Sequence, residues 1–170
     1  MQGIEIEKKY KVKELPKNLE KYKKIEIEQA YLNHGSKPTL RIRKYNDNEY
    51  ILSYKAKKQH RKDLSICDEV ELPLSKEAYE HLKSKIDGRV ICKTRYIIPL
   101  PDGLKVEIDR FKGFYEDVCF AEIEFKSEEQ AMSYEIPSWL GEDISNQKRV
   151  KNGYMATDSK DIEEYKDLIL

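Results

Sequence analysis

Acidic and basic residues recur along this chain as pairs two positions apart, most of them of one sign. Glu5 and Glu7 precede Lys9, and further on stand Arg41 with Arg43, Lys55 with Lys57, and Glu69 with Glu71. Lys93 with Arg95, Glu107 with Asp109, and Glu122 with Glu124 complete the series. Residues i and i+2 of a β-strand project from the same face. The opposite faces carry Ile4 and Ile6, Leu40 and Ile42, Leu52 and Tyr54, Val70 and Leu72, Val106 and Ile108, and Ile123 and Phe125. Those are core positions. Charged faces turned to water account for any one strand about as well as a site does. Over the whole series that reading weakens, because a solvated sheet gains from mixing signs across strands and like charges repel as neighbours. Same-sign pairs are tolerable where counter-ions bind. Paired carboxylates are hard-oxygen ligands for Mg²⁺ or Mn²⁺. Paired Arg and Lys bind phosphate, Arg bidentately. A barrel with both sets pointing inward would hold a metal-bound polyphosphate. Glu26 and Glu28 repeat the pattern in a strand given no site role.

The rest of the composition narrows the choice. A length of 170 residues suits one domain, 1–170. Charged residues make up 38% of the chain, against about 25% in an average domain. Only 39% is apolar, with 12 tyrosines contributing. So many charges predict that some line an interior surface. The net charge of zero gives no reason to expect nucleic acid or an anionic membrane as partner. No apolar run approaches the ~20 residues of a membrane span, and the N-terminus (MQGIEIEKKY) lacks a signal-peptide apolar stretch. Cys67, Cys92 and Cys119 form no CxxC pair and read as reduced thiols of a cytoplasmic protein. GxxxxGK[ST], GxGxxG and GxSxG motifs are absent, and His34, His60 and His81 lack metal-ligand spacing.

Alternation predicts strands over 4–12, 25–32, 39–45, 49–57, 65–74, 89–100, 104–111 and 118–126, with turns at Asn46-Asp47-Asn48 and Pro101-Asp102-Gly103. Ser75 is placed to cap a helix carrying Ala78, Leu82 and Ile86 on one face, with Gly88 as its C′ residue. Ser127 to Gln130 fits a capping box. Beyond Trp139 the pattern turns helical, ending in a stripe of Ile162, Tyr165 and Ile169. The fold class is therefore α+β, built on an antiparallel sheet or barrel of about eight strands.

The ordered series of motifs resembles the CYTH superfamily, the triphosphate tunnel metalloenzymes, and specifically a bacterial single-domain member. It comprises the ExExK of Glu5-Ile6-Glu7-Lys8-Lys9, Gln29-Ala30-Tyr31-Leu32, Arg41-Ile42-Arg43, Lys55, Glu69-Val70-Glu71 and Lys93-Thr94-Arg95-Tyr96. Glu107 to Phe111, Ala121 to Glu124, Trp139-Leu140-Gly141 and Asn152 continue it across nearly the whole chain. The resemblance implies an eight-stranded antiparallel barrel forming a tunnel, with flanking helices. It also implies divalent-metal-dependent hydrolysis of inorganic tripolyphosphate, with nucleoside triphosphates as poorer substrates. Adenylyl cyclase of class IV, thiamine triphosphatase and a non-catalytic polyphosphate-binding module are the alternatives. By the same resemblance Glu5, Glu7, Glu122 and Glu124 hold Mg²⁺ or Mn²⁺, and Lys9, Arg41, Arg43, Lys55 and Arg95 bind the phosphate chain. Lys93 orients or deprotonates the attacking water, so that Lys93, Glu5 and Glu7 form the catalytic group. Glu69, Glu71, Glu107 and Asp109 are further acidic tunnel positions. Lys57 and Lys105 join the charged face by strand parity, with tunnel rim or solvent favoured for both. Asn146 to Val150 departs from the family pattern. Without ligand, Arg41, Arg43, Lys55 and Arg95 are expected to face and repel one another. A small-molecule polyphosphate is the expected partner, without nucleic acid or membrane, and a homodimer stays open.

Overall fold

The computed structural model describes residues 2–34, 38–57 and 65–170, with side chains over 6–34, 38–56 and 68–170. Nine antiparallel strands are present: β1 (Gln2–Val12), β2 (Lys23–Tyr31), β3 (Thr39–Tyr45), β4 (Glu49–Lys57), β5 (Ser65–Pro73), β6 (Asp87–Pro99), β7 (Lys105–Phe111), β8 (Cys119–Glu124) and β9 (Leu140–Asp143). Helix α1 (Lys76–Lys83) links β5 to β6, α2 (Glu128–Ser133) follows β8, and α3 (Asn152–Thr157) lies near the C-terminus.

The strands run in the order β5-β4-β3-β2-β6-β7-β8-β1-β9. The first half of β1 (Gln2–Glu7) also pairs with β5, while its second half (Glu7–Lys11) pairs with β8. The expected eight strands therefore follow one another round a ring, and β9 is an addition on β1. A ring of eight strands leaves an interior that side chains fill or that holds one small ligand.

Apolar clusters cover the outside of this ring. Tyr79 of α1 packs over Ala30 and Ile42, and Ala131 of α2 and Leu140 join the cluster of Val106, Ile108, Ala121 and Ile123. The alternation therefore sorts apolar residues outward and charged residues inward. At one end the inner face itself becomes apolar. There Tyr31, Ile91, Phe111 and Phe120 pack against Ile144, Val150, Met155, Ala156, Tyr165 and Leu168 of the C-terminal segment, all buried. That segment is pinned to β1 by Asp167, which accepts from Lys11 at 2.8 Å and from Arg149. No described helix is long and apolar enough to cross a membrane.

Three local expectations change. Helix α1 ends at Lys83 with Ser84 as its C-cap, so Gly88 is a β6 residue. It has φ +73°, and a Cβ there would lie 2.1 Å from the Ala156 carbonyl oxygen, so a close backbone approach demands the glycine. The chain after Trp139 first forms β9 before turning helical. The last helical segment, Ile162–Leu168, is a 3-10 helix that buries Tyr165 and Leu168 while Ile169 is exposed. In a 3-10 helix i and i+3 eclipse, so Ile162, Tyr165 and Leu168 form the stripe.

Candidate active site

The strand register brings the charged pairs onto one inner surface. Residues directly opposite in antiparallel strands share a face. Glu7 lies opposite Glu124 and Lys9 opposite Glu122. Glu122 lies opposite Glu107, and Asp109 opposite Arg95. Across the ring Arg43 lies opposite Gln29, Arg41 opposite Ser53, and Lys55 opposite Glu69. Ser53 also faces Glu71, whose carboxylate is 3.5 Å from the serine hydroxyl. Glu26 and Glu28 have the opposite parity and point outward, where they accept from Lys112 and Lys83.

The deepest charges form one network. Lys93 and Asp109 are fully buried, and the Lys93 ammonium donates to Asp109. Asn152 of α3 lies 3.5 Å from the same ammonium. Arg95 clasps Asp109 with two bonds, Nε to Oδ1 at 2.6 Å and Nη2 to Oδ2 at 2.7 Å. It also donates to Glu122 at 3.1 Å and to Glu107. Lys9 donates to Glu122 and lies 3.7 Å from Glu7. Arg41 donates to Glu69 at 2.7 Å. Lys105 stands at the rim, 2.6 Å from Glu107.

Burial and charge compete within this network. Burial lowers the Lys93 pKa to about 8, against the pull of Asp109 and with help from Arg95 and Arg43. Burial also disfavours the ionised forms of Glu122 and Asp109, but Lys9, Arg95 and Lys93 around Glu122, and Arg95 and Lys93 around Asp109, outweigh it and hold both below the usual carboxylate range. For Lys9, burial is outweighed by Glu122 and Glu7, and its pKa rises.

The register therefore gathers Glu7, Lys9, Arg41, Arg43, Lys55, Glu69, Glu71, Lys93, Arg95, Glu107, Asp109, Glu122 and Glu124 on one face, with Glu124 exposed at the rim. Glu5 and Lys57 occupy the same face by register, but their side chains lie outside the described residues. Arg149 is bonded to Asp167 and to the Glu164 carbonyl oxygen and takes no part in this face. The expected mutual repulsion of the bases is not found, since Arg41 and Arg95 are paired with carboxylates. Gln29, Tyr45 and Ser53 complete the surface and were not singled out for roles from sequence. For Gln29 a signal existed: it is a lone polar residue among Ile25, Ile27 and Tyr31 on the inward parity of β2.

Among the described residues no three carboxylate, His or Cys side chains converge in an arrangement able to hold a metal ion. The donor chemistry nonetheless fits a hard divalent cation at the rim. Glu7 and Glu124 are directly opposed across β1 and β8, a like-charge placement that a cation would relieve.

The ring of antiparallel strands with mixed bases and carboxylates on its inner face agrees with the arrangement that the resemblance to the CYTH superfamily implies. The CYTH domain model matches residues 3–162, and the chain belongs to that family. An inorganic triphosphatase of Nitrosomonas europaea is 32% identical over 153 residues, covering 89% of this chain and 96% of the relative. A crystal structure of an inorganic triphosphatase superposes with a TM-score of 0.68 at 30% identity, over 92% of this chain and 97% of that one. HpAC1 of Hippeastrum, described as a candidate adenylyl cyclase with a dominant triphosphatase activity, shares the fold at a TM-score of 0.53. It is 16% identical and is matched over 75% of this chain and 82% of its own.

Proposed function

We propose that this protein hydrolyses inorganic tripolyphosphate with the help of Mg²⁺ or Mn²⁺. The observation that carries the reading is the convergence of Lys9, Arg41, Arg43, Lys93 and Arg95 from three strands onto one inner surface with Glu7 and Glu124 opposed at its rim. The likeness to a named inorganic triphosphatase over nearly its full length supports it. Phosphoanhydride hydrolysis needs the polyanion neutralised, a water positioned and the leaving phosphate stabilised. Arg41, Arg43, Lys55, Arg95 and Lys9 would bind the phosphate oxygens, and those opposite the attacked phosphorus would stabilise charge on the bridging oxygen. Glu7 and Glu124, joined by Glu122 and Glu5, would hold the cation, which when bound supplies charge relief and orientation of the phosphate oxygens. Lys93, part of whose population is neutral near pH 7, can accept a proton from the attacking water at Nζ.

The deciding experiment is phosphate release from tripolyphosphate, pyrophosphate, ATP and thiamine triphosphate, each with Mg²⁺, Mn²⁺ or EDTA. Tripolyphosphate with either metal should be the best substrate, and EDTA should abolish turnover. Glu7→Gln and Glu124→Gln should each lower the rate by about two orders of magnitude or more, since each removes a charge and little volume. Full activity in EDTA, or formation of cyclic AMP from ATP as the main reaction, would overturn the reading.

A further inference from the structure

Arg43 differs from the other deep cations of the barrel. Its Nε donates to the Gln29 side-chain oxygen at 3.2 Å and its Nη1 donates to the Tyr45 hydroxyl at 2.5 Å. The Tyr45 ring lies 5.4 Å from the guanidinium carbon. Both acceptors are neutral, and among the described residues no carboxylate pairs with Arg43. Lys9, Lys93, Arg41 and Arg95 each have one. Gln29 is fully buried, and its amide nitrogen is 3.3 Å from the Tyr31 hydroxyl, so the amide is held from both ends. A glutamate would fit the same space, accept the same arginine bond in charge-assisted form and accept from Tyr31 as well. For the empty barrel it would be the better partner. An amide instead fixes the guanidinium's direction and leaves its charge uncompensated.

We propose that Gln29 is a positioning residue which, with Tyr45, aims Arg43 as a cation held without a carboxylate partner and so makes it an anchor for the phosphate chain. The inference rests on the polyphosphate reading above and names the residue that anion meets without first displacing a carboxylate. Lys9, Lys93, Arg41 and Arg95 must each exchange an internal carboxylate for a phosphate oxygen, so their contribution to affinity is a difference between two charge-assisted bonds. Arg43 makes no such exchange. Strand register places the anchor beside the deepest lysine. Ile27, one inward position from Gln29 on β2, lies opposite Lys93 on one side and Tyr45 on the other.

Gln29→Glu tests the idea, because it preserves the hydrogen bond and changes the charge. The variant should melt at or above the wild-type temperature without ligand. Its KM for tripolyphosphate should rise about tenfold or more while kcat stays within about threefold, as expected for loss of ground-state anchoring. Its stabilisation by tripolyphosphate should shrink in parallel. Tyr45→Phe, which removes the second acceptor at a less buried position, should raise KM by about threefold. A purely structural Gln29 predicts an unchanged KM and ligand-induced shift in Gln29→Glu, and that result would refute the proposal while leaving the triphosphatase reading intact. Should Gln29→Glu fail to fold, an unchanged KM in Tyr45→Phe refutes it equally. A wild-type protein that neither binds nor cleaves tripolyphosphate overturns both readings.

Discussion

Lys93 shows how a single residue's surroundings set its chemistry. Burial alone would drive its ammonium toward the neutral form, and Asp109 restrains that tendency, leaving the pKa at about 8. kcat/KM reports the free enzyme's titrating groups, so on tripolyphosphate it should rise with pH through an apparent pKa near 8. Lys93→Arg should abolish that limb, because a guanidinium does not titrate there. The same shift has a stability consequence. With a folded-state pKa near 8 and an unperturbed value of 10.5, the native state binds fewer protons between those limits. Stability then rises with pH across that window, and the contribution is lost as pH falls through 8. Urea unfolding at pH 7.5 and 9.5 should show wild type gaining on Lys93→Met at the higher pH. Loss of Asp109 is costly: Asp109→Asn leaves Lys93 without its carboxylate and Arg95 without its bidentate partner. Breaking a buried pair of this kind costs about 3–5 kcal/mol, readable as a lower urea midpoint.

At the scale of elements, the strands were the legible part of the sequence. β3 and β4 begin and end where alternation places them, because their inner and outer faces differ so sharply in polarity. Both caps were legible too. Ser75 accepts from the Ala78 amide, and Ser127 accepts from the Gln130 amide. In return the Gln130 side chain accepts from Lys126, one residue earlier than the usual box. What escaped were features fixed by contacts distant in sequence. Gly88 looks like a helix terminator, yet it is required by Ala156, a residue of α3. The neutral cradle of Arg43 escaped in part for the same reason: Tyr45 shares its face of β3, but Gln29 meets it only when β2 and β3 are paired. Gly88→Ala should therefore be costly twice over. The left-handed backbone alone costs about 1–2 kcal/mol with a Cβ, and the 2.1 Å approach to the Ala156 oxygen forces the β6–α3 contact apart. Hydrogen exchange should show lost protection in α3, with β3 and β4 unaffected.

At the scale of the whole molecule, the equal numbers of acidic and basic residues are reflected inside the barrel, where Arg41 and Arg95 each lie against carboxylates. Removing either of these two bases therefore strips a carboxylate of a partner, and Arg41→Ala should melt below wild type in the absence of ligand because Glu69 loses the Arg41 bond. Wild type should gain stability from tripolyphosphate with Ca²⁺ in place of Mg²⁺, by about 2.7 kcal/mol at a hundredfold excess over Kd. Sulfate at equal ionic strength should produce a much smaller rise in melting temperature. The apolar end of the barrel adds a constraint on traffic. With Phe111 and Phe120 packed under Val150, Met155 and Tyr165, that end is a floor. A polymer of phosphate, were it the substrate, would not be threaded through such a vessel. On the polyphosphate reading the chain would enter by one terminus, cleavage would proceed from chain ends, and each fragment released at depth would have to back out past the next arrival.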